Sequence, residues 1–562
     1  MAEVENKVLS GDPLRSENFF QSDLILRSYL DKHVSASALD YMEDHLDRLG
    51  TQAALTMDDL SQKADKFGPE LKQRNRLGEE VNEVAFHPAY WKLLHIAAES
   101  EMFYVKYERS LRERFAGQRH QLGYAAGQLY AMSELGVYCP LCMTDGAAHL
   151  VDRYAGSEER VRLLPRLSSK SGEKLYTGAM FLTEKSGGSD VGRNLASAEQ
   201  VDGRTYRLSG EKWFCSNVNA EVIMALARTG DIEEGTRGLS LFLVEKKLSD
   251  GRENPMDIVR LKEKLGVRSM ATGEVRFNNT RGILLGEENK GFKLMAEMIN
   301  ISRIYNSVAA VAGMRRALIE AYQYLNQRII FNKRATEHAM IRSKFHELGA
   351  RYIADFLLVW RAIRATDAAE VGNDAERELK RILIPMAKWK SAEDGVYMVR
   401  ECMELMGGNG YIEDFIMPKL FRDVNVLPIW EGSGNIIVLD VLRATRKSDG
   451  LKLLISEIRE ASGKEQIYGS IINKKLDALL EVWNELQNTT NQDTIETTAK
   501  PLFKELIDLY QMALIIEELD AANESWMRPA MDYLAADINN ALKVEEAIET
   551  EKVKNLLGWK YP

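Results

Sequence analysis

The sequence predicts a multidomain α+β chain. Residues 1–175 read as helical, 176–290 as a compact β domain, 291–445 as a helical bundle and 446–562 as a further helical unit. Three observations predict this. The 562 residues exceed what one hydrophobic core holds. Near Leu175 the hydrophobic period changes from a helical one to short β-type runs, and near Gly291 it changes back. Beyond Gly291, long segments such as 301–328 and 340–366 carry no internal proline.

In the first segment, Leu24, Leu26, Tyr29 and Leu30 begin an apolar pattern. Trp91, Leu94, His95 and Ala98 lie at i, i+3, i+4 and i+7, one face of a helix, so His95 reads as a packing residue rather than a ligand. Residues 118–133 and 146–154 read as further helices, with Pro140 breaking the chain between them. The β-type runs are 175–182, 196–199, 205–208, 222–228, 238–244 and 273–277, punctuated by Asp202-Gly203, Ser209-Gly210 and Asp250-Gly251. Short strands at that spacing suit a barrel or a sandwich. In the bundle, 301–328 and 340–366 are long helical stretches, and Ala309, Ala310, Ala312 and Gly313 permit close approach of a neighbour. The charged run 367–380 reads as a solvated connection or face. In the last unit, Leu476, Leu479, Leu480 and Trp483 form one stripe and Leu502, Leu506, Leu509 and Ala513 another. Both need partners, which contacts between subunits would supply.

Composition narrows the function. Hydrophobic content of 45% with 28% charged residues is that of a soluble globular protein. The formal charge of -10 argues against a dedicated nucleic-acid binder. Cys139, Cys142, Cys215 and Cys402 are too few for a disulfide scaffold and point to a reducing compartment. Residues 1–11 lack the basic and apolar regions of a leader, and no window approaches ~20 apolar residues, so the expected address is the cytoplasm.

One stretch carries the chemistry: Ile429-Trp430-Glu431-Gly432-Ser433-Gly434-Asn435-Ile436. Glycines let another group approach the backbone, and Trp430 would wall off and partly desolvate the Glu431 carboxylate. Such a carboxylate suits general-base work near neutral pH. Alone, the same octamer reads equally as a glycine-rich turn with a helix-capping acid.

Other stretches agree with the octamer in order and spacing. They are 183–191 (Thr-Glu-Lys-Ser-Gly-Gly-Ser-Asp-Val), 212–217 (Lys-Trp-Phe-Cys-Ser-Asn), 264–269 (Lys-Leu-Gly-Val-Arg-Ser), Arg328-Ile329-Ile330-Phe331, and 406–411 (Met-Gly-Gly-Asn-Gly-Tyr). From about residue 80 to 445 the chain resembles the acyl-CoA dehydrogenase flavoproteins. Phe86-His87-Pro88-Ala89-Tyr90, the run 139–144 and the tail beyond 445 resemble its AidB-like branch. The resemblance implies an N-terminal helical domain, a middle β-barrel domain, a C-terminal four-helix bundle and an extra helical domain. It implies FAD-dependent oxidation of the α,β bond of an acyl-CoA thioester, with Glu431 taking the α proton and flavin N5 the hydride. Enolate charge would be held by a flavin ribityl hydroxyl and the backbone N–H of the base. Some relatives carry the base on an earlier helix, but Ser302 stands at that position here.

For the cofactor, the resemblance implies contacts from Leu182, Thr183, Gly188, Ser189, Phe214 and Ser216. Arg328 and Phe331 would reach the FAD of a neighbouring subunit, beside Gly407 and Gly408, and Glu404 stands where a glutamine is usual. Ser433 and Asn435 would close over the cofactor. Asn300, Arg303 and Trp430 stand at substrate-binding positions, Asn300 where an acid is common. A homodimer is the minimum assembly and a tetramer the family norm, with an electron-transfer flavoprotein among the implied partners. Cys139-x-x-Cys142 has no second ligand pair, so structural roles outweigh zinc or redox ones and no metal is expected. Two other functions fit the motifs: an acyl-CoA-binding flavoprotein without turnover, and an alkylation-response protein on DNA. Residues 443–562 carry 15 basic against 21 acidic residues, which opposes the second.

Overall fold

A computed structural model describes residues 16–539 and 549–560; the predicted absence of a leader in 1–11 lies outside them. The chain forms two compact units. One comprises Thr56–Arg114 and Ser133–Tyr305; the other comprises residues up to Leu55, Phe115–Met132 and Asn306 onward. The division falls inside the helix Gly291–Gln327.

The first of these units is built on β3 (Gly178–Phe181), β4 (Ser197–Asp202), β5 (Thr205–Ser216), β6 (Val222–Arg228), β7 (Leu239–Glu245), β8 (Met256–Leu261) and β9 (Thr272–Leu285). β6 pairs antiparallel with β7, β7 with β9, β9 with β5, and β5 with β4. The bridge Ser197–Arg228 returns β4 to β6 and closes a barrel. β3 runs parallel to the first half of β6, and β8 adds to β9. Every residue of β6 is buried because two cores meet at this strand. Val222, Met224 and Leu226 join Ala147, Leu150 and Val151 of the helix Tyr138–Tyr154, while Ile223, Ala225 and Ala227 join Phe181, Tyr206 and Phe242. A strand buried on both faces reads as an unbroken apolar run, as this one does from Val222 to Ala227.

Four expectations need correction here. The stretch read as all helical contains a hairpin, β1 (Glu70–Arg74) and β2 (Glu80–Ala85), mostly exposed and charged. Its turn is held by Asn75, whose Oδ1 accepts from the N–H groups of Leu77 and Glu79. Strand β8 was not expected either: Asp257 and Arg260 interrupt its apolar run. Pro140 does not break the helix Tyr138–Tyr154; it sits in the first turn, where a missing N–H costs nothing. Trp91 is exposed although Leu94 and Ala98 on its stripe are buried.

In the second unit the long helices Ala339–Glu370 and Asp374–Leu405 are joined by a three-residue turn at Gly372 (φ +97°), and the Asn373 side chain caps the second helix. Asp367 is not solvated. It is fully buried, and its two oxygens accept from the N–H groups of His120 and Gln121 at 2.9 Å each. The residues after 445 form the helices Gly450–Lys464, Gln466–Asn488, Gln492–Glu518 and Glu524–Asn539. Leu502, Leu506, Leu509 and Ala513 are buried within the same chain, so this stripe needs no second subunit. Gln511 donates to Asp355 at 2.8 Å and Asp508 pairs with Lys390 at 3.1 Å, tying the added helices to the bundle.

The same tie has a pH-sensitive member. Glu518 meets His33 at 2.8 Å and Lys32 at 3.0 Å, with Arg364 at 3.3 Å. Burial alone would raise its carboxyl pKa, but these partners pull it down to about 2. The pair's stability is therefore present above the unfolded value near ~4.3 and is lost as pH falls through the folded one. Between pH ~5 and ~2 the parent should lose about 2–3 kcal/mol that Glu518→Gln does not, read from urea midpoints across that range. Parallel pH curves for the two proteins would refute this.

Candidate functional site

The predicted site residues fall in four groups, two on each unit. On the barrel unit, Leu182 and Thr183 follow β3 and Phe214 and Ser216 end β5. The Trp213 N–H donates to the Thr183 carbonyl at 2.9 Å, which sets these two segments side by side. Beneath them Lys212, fully buried, pairs with Glu184 at 2.7 Å, and Glu184 also accepts from the backbone of Leu195 and Ala196. Burial pulls Lys212 below the usual ammonium range, opposed by Glu184. The pair stands inside two of the quoted motifs, yet its role in fixing the loop was not read from them.

A flavin fits what this edge offers. The hydroxyls of Thr183 and Ser216, both half-buried, have no hydrogen-bond partner among the described residues. Phe214 presents its ring at 59% exposure. Gly188 and Ser189 are exposed on the turn that follows Glu184. The second group lies one turn apart on the helix Gly291–Gln327: Arg303 is buried, and its guanidinium lies 3.5 Å from the Asn300 side-chain oxygen. Ser302 is engaged by Cys142 at 2.9 Å, both buried, so the Cys139-x-x-Cys142 run enters this unit through packing and a weak thiol bond.

On the bundle unit the third group gathers around a residue not singled out in the sequence. The Tyr324 hydroxyl meets Arg328 at 2.6 Å and Asn409 at 2.8 Å, bringing the arginine to the glycine-rich run. Gly407 adopts φ +63°, and a Cβ on Gly408 would meet nothing within 4 Å. Glu404, in place of the usual glutamine, is bound by Arg400 at 2.5 Å, which offsets its charge. Residues 328–334, between the two long helical stretches, form a hairpin of β10 (Ile329–Ile330) and β11 (Lys333–Arg334). Phe331 and Asn332, both with positive φ, are its two turn residues, as a tight hairpin of this type demands. Phe331 is thereby pushed out at 90% exposure.

The fourth group is the octamer. Glu431 is half-buried and takes φ +58°, a left-handed conformation that costs a non-glycine residue about 1–2 kcal/mol. Gly432 follows at φ +102°, and Ser433 is the N-cap of the helix Gly434–Thr445. Asn435 is exposed and its side-chain oxygen accepts from Lys500 of the added helices at 3.1 Å. Trp430 is half-buried, its N–H bonded to the Val426 carbonyl at 3.0 Å. Two buried side chains hold the loop from below: Lys388 donates to the Gly432 carbonyl at 2.6 Å, and Asn306 to the Leu427 carbonyl at 3.2 Å. Neither was foreseen; a lysine amid the apolar 382–389 run was the available signal.

Elsewhere on this unit His120, Asp367 and Glu370 lie within metal-ligand reach of one another. Arg119 binds Glu370 at 2.6 Å, His120 meets it at 2.9 Å, and Asp367 is taken by backbone N–H groups. Burial would raise Glu370, but His120 and Arg119 hold it far below the usual carboxylate range. The cluster acts as an N-terminal cap for the helix Arg119–Ala131.

Residues 10–171 match the family described as Adaptive response protein AidB N-terminal domain. Residues 179–280 match Acyl-CoA dehydrogenase, middle domain, and 289–445 match Acyl-CoA dehydrogenase, C-terminal domain. Acyl-CoA dehydrogenase family member 11 of Caenorhabditis elegans is 30% identical over 539 residues, 92% of this chain and 87% of its own length. AidB of Escherichia coli is 32% identical over 484 residues, 84% of this chain and 86% of its own. The crystal structure of Caenorhabditis elegans ACDH-11 in complex with C11-CoA superposes with a TM-score of 0.85 at 28% identity, covering 94% of this chain and 92% of that one. The chain therefore belongs to the acyl-CoA dehydrogenase family of flavoprotein oxidoreductases, in its AidB-like branch.

Proposed function

We propose that the protein is an FAD-dependent acyl-CoA dehydrogenase that oxidises the α,β bond of an acyl-CoA thioester. The observation that carries this reading is the backbone at Glu431, a left-handed glutamate ahead of a glycine of still larger positive φ. A fold tolerates that conformation where the surroundings over-determine it, and such positions cluster at functional sites. Bound FAD supplies the hydride acceptor. Leu182, Thr183, Phe214 and Ser216 would hold its ring, Gly188 and Ser189 would let the chain approach ring and phosphates, and Ser433 and Asn435 would close over it. Arg328, Phe331, Glu404, Gly407 and Gly408 contact the FAD of a neighbouring subunit, which makes a homodimer the smallest complete assembly and a tetramer the expected one. Asn300, Arg303 and Trp430 orient the acyl-CoA.

The Glu431 carboxylate takes the α proton as hydride leaves the β carbon, and its own backbone N–H faces the developing thioester oxyanion. Electrons pass on to an electron-transfer flavoprotein. The boundaries 1–175, 176–290, 291–445 and 446–562, and a cytoplasmic address, complete the reading; among the described residues no helix is long and apolar enough to cross a membrane.

The test is anaerobic bleaching of the visible flavin band by acyl-CoA thioesters of graded chain length. At least one should reduce the flavin within seconds. Tight thioester binding with an oxidised flavin across the whole panel would instead make the protein a binder without turnover. Retention on duplex DNA at physiological salt would support the alkylation-response function.

A further inference from the structure

The residues around the octamer lead to a second functional position. Lys388 lies in the interior of the helix Asp374–Leu405, only 1% exposed, among Leu383, Ile384 and Ala387. An ammonium group so placed must be met by strong acceptors or lose its charge. Its acceptors include two main-chain carbonyls of one short loop: Gly432 at 2.6 Å and Pro428 at 3.5 Å. They bracket Glu431, one residue beyond it and three before. Asn306, also buried, takes the Leu427 carbonyl, so the loop is fastened from beneath along its length. The carbonyls at 428 and 432 turned inward leave residues 429–431 as the segment that faces outward, and Ile429 is exposed.

We infer that Lys388 is the positioning residue of the catalytic loop: its ammonium holds the left-handed turn at Glu431 and sets a positive charge behind that carboxylate. This rests on the reading of Glu431 as the base. A supporting side chain beneath a reacting group acts in two ways, by fixing geometry and by biasing protonation. A cation within a few ångströms of the loop backbone favours the ionised carboxylate, the form that accepts the α proton.

The experiment compares the FAD-loaded parent, Lys388→Met, Lys388→Arg and Glu431→Gln. Lys388→Met should reduce flavin with the best acyl-CoA at least ~30-fold more slowly. Its affinity for a 3-thiaacyl-CoA, whose β atom is sulfur and carries no hydride, should change less than about threefold. The acid limb of its reduction rate should move up by about one pH unit, which a role in packing alone would not produce. Amide exchange over residues 426–433, measured without any substrate, should quicken at least ~10-fold. Lys388→Arg, which keeps a cation and donors, should retain loop protection and the parent pH limb. Parental reduction rate and loop exchange in Lys388→Met would overturn the inference, as would Lys388→Arg losing both in the way Lys388→Met does. If Glu431→Gln bleaches at the parental rate the base assignment fails, and the exchange data still decide whether Lys388 holds the loop.

Discussion

Glutamine at position 431 should slow acyl-CoA-driven bleaching of the flavin by about 10²- to 10⁴-fold, the range a positioned general base contributes. The substitution is isosteric, so the loop anchored by Lys388 and Asn306 keeps its carbonyl contacts. FAD content and thioester affinity should stay within a few-fold of the parent, because an amide fills the same space but accepts no proton at neutral pH. Stopped-flow absorbance under anaerobic conditions reads the rate, and equilibrium titration reads binding. No carboxylate stands at Ser302, the alternative base position, and Ser302 is engaged by Cys142. Bleaching within tenfold of the parent would therefore leave the proposed chemistry without its base.

The largest effect on stability is expected at Arg315. Its guanidinium is fully buried and grips Asp23 through two bonds, 2.7 and 3.0 Å, while donating to the carbonyls of Leu557 and Gly558. Tyr352 and Trp559 flank it at 4.9 and 5.0 Å. Arg315→Met leaves Asp23 charged and buried with its strongest partner gone, a change that typically costs about 3–5 kcal/mol. Urea unfolding should show that loss. The double variant Arg315→Met with Asp23→Asn should be less destabilised than the two single losses added together, since the orphaned charge is removed as well. Additive losses would mean that the pair is not coupled.

The sequence was most legible where one physical requirement dominated. Residues 222–228 match β6 end to end because burial on both faces leaves apolar side chains from Val222 to Ala227, with the buried Arg228 closing the strand. The long proline-free helices and the change of period at the barrel came through for the same reason. Legibility failed where side chains serve distant backbone. Asp367 looks like solvated charge in sequence, but its oxygens cap a helix that starts at Arg119. Lys388 stands out in the apolar 382–389 run, yet two of its acceptors, Pro428 and Gly432, lie far along the chain, where no local pattern points. Exposed strands failed too: β1 and β2 carry mainly charged residues, and only Leu71 and Val84 pack on the barrel core. At the proposed site, positions 214 and 331 were named from the motifs and 431 from its glycine-rich octamer. The backbone then added what no motif states, that Phe331 and Glu431 both occupy left-handed conformations.

The clasp at Arg315 also has a consequence for synthesis. Gly558 receives the Leu24 N–H at 3.1 Å, and Lys560 donates to Ser22 at 2.9 Å. Residues 22–24 are thus closed by residues 558–560, far along the chain, and loop-closure entropy of that span must be met before those contacts form. Until residues 557 and 558 have been made, Asp23 waits without its final neighbours, and the nascent segment calls for chaperone protection.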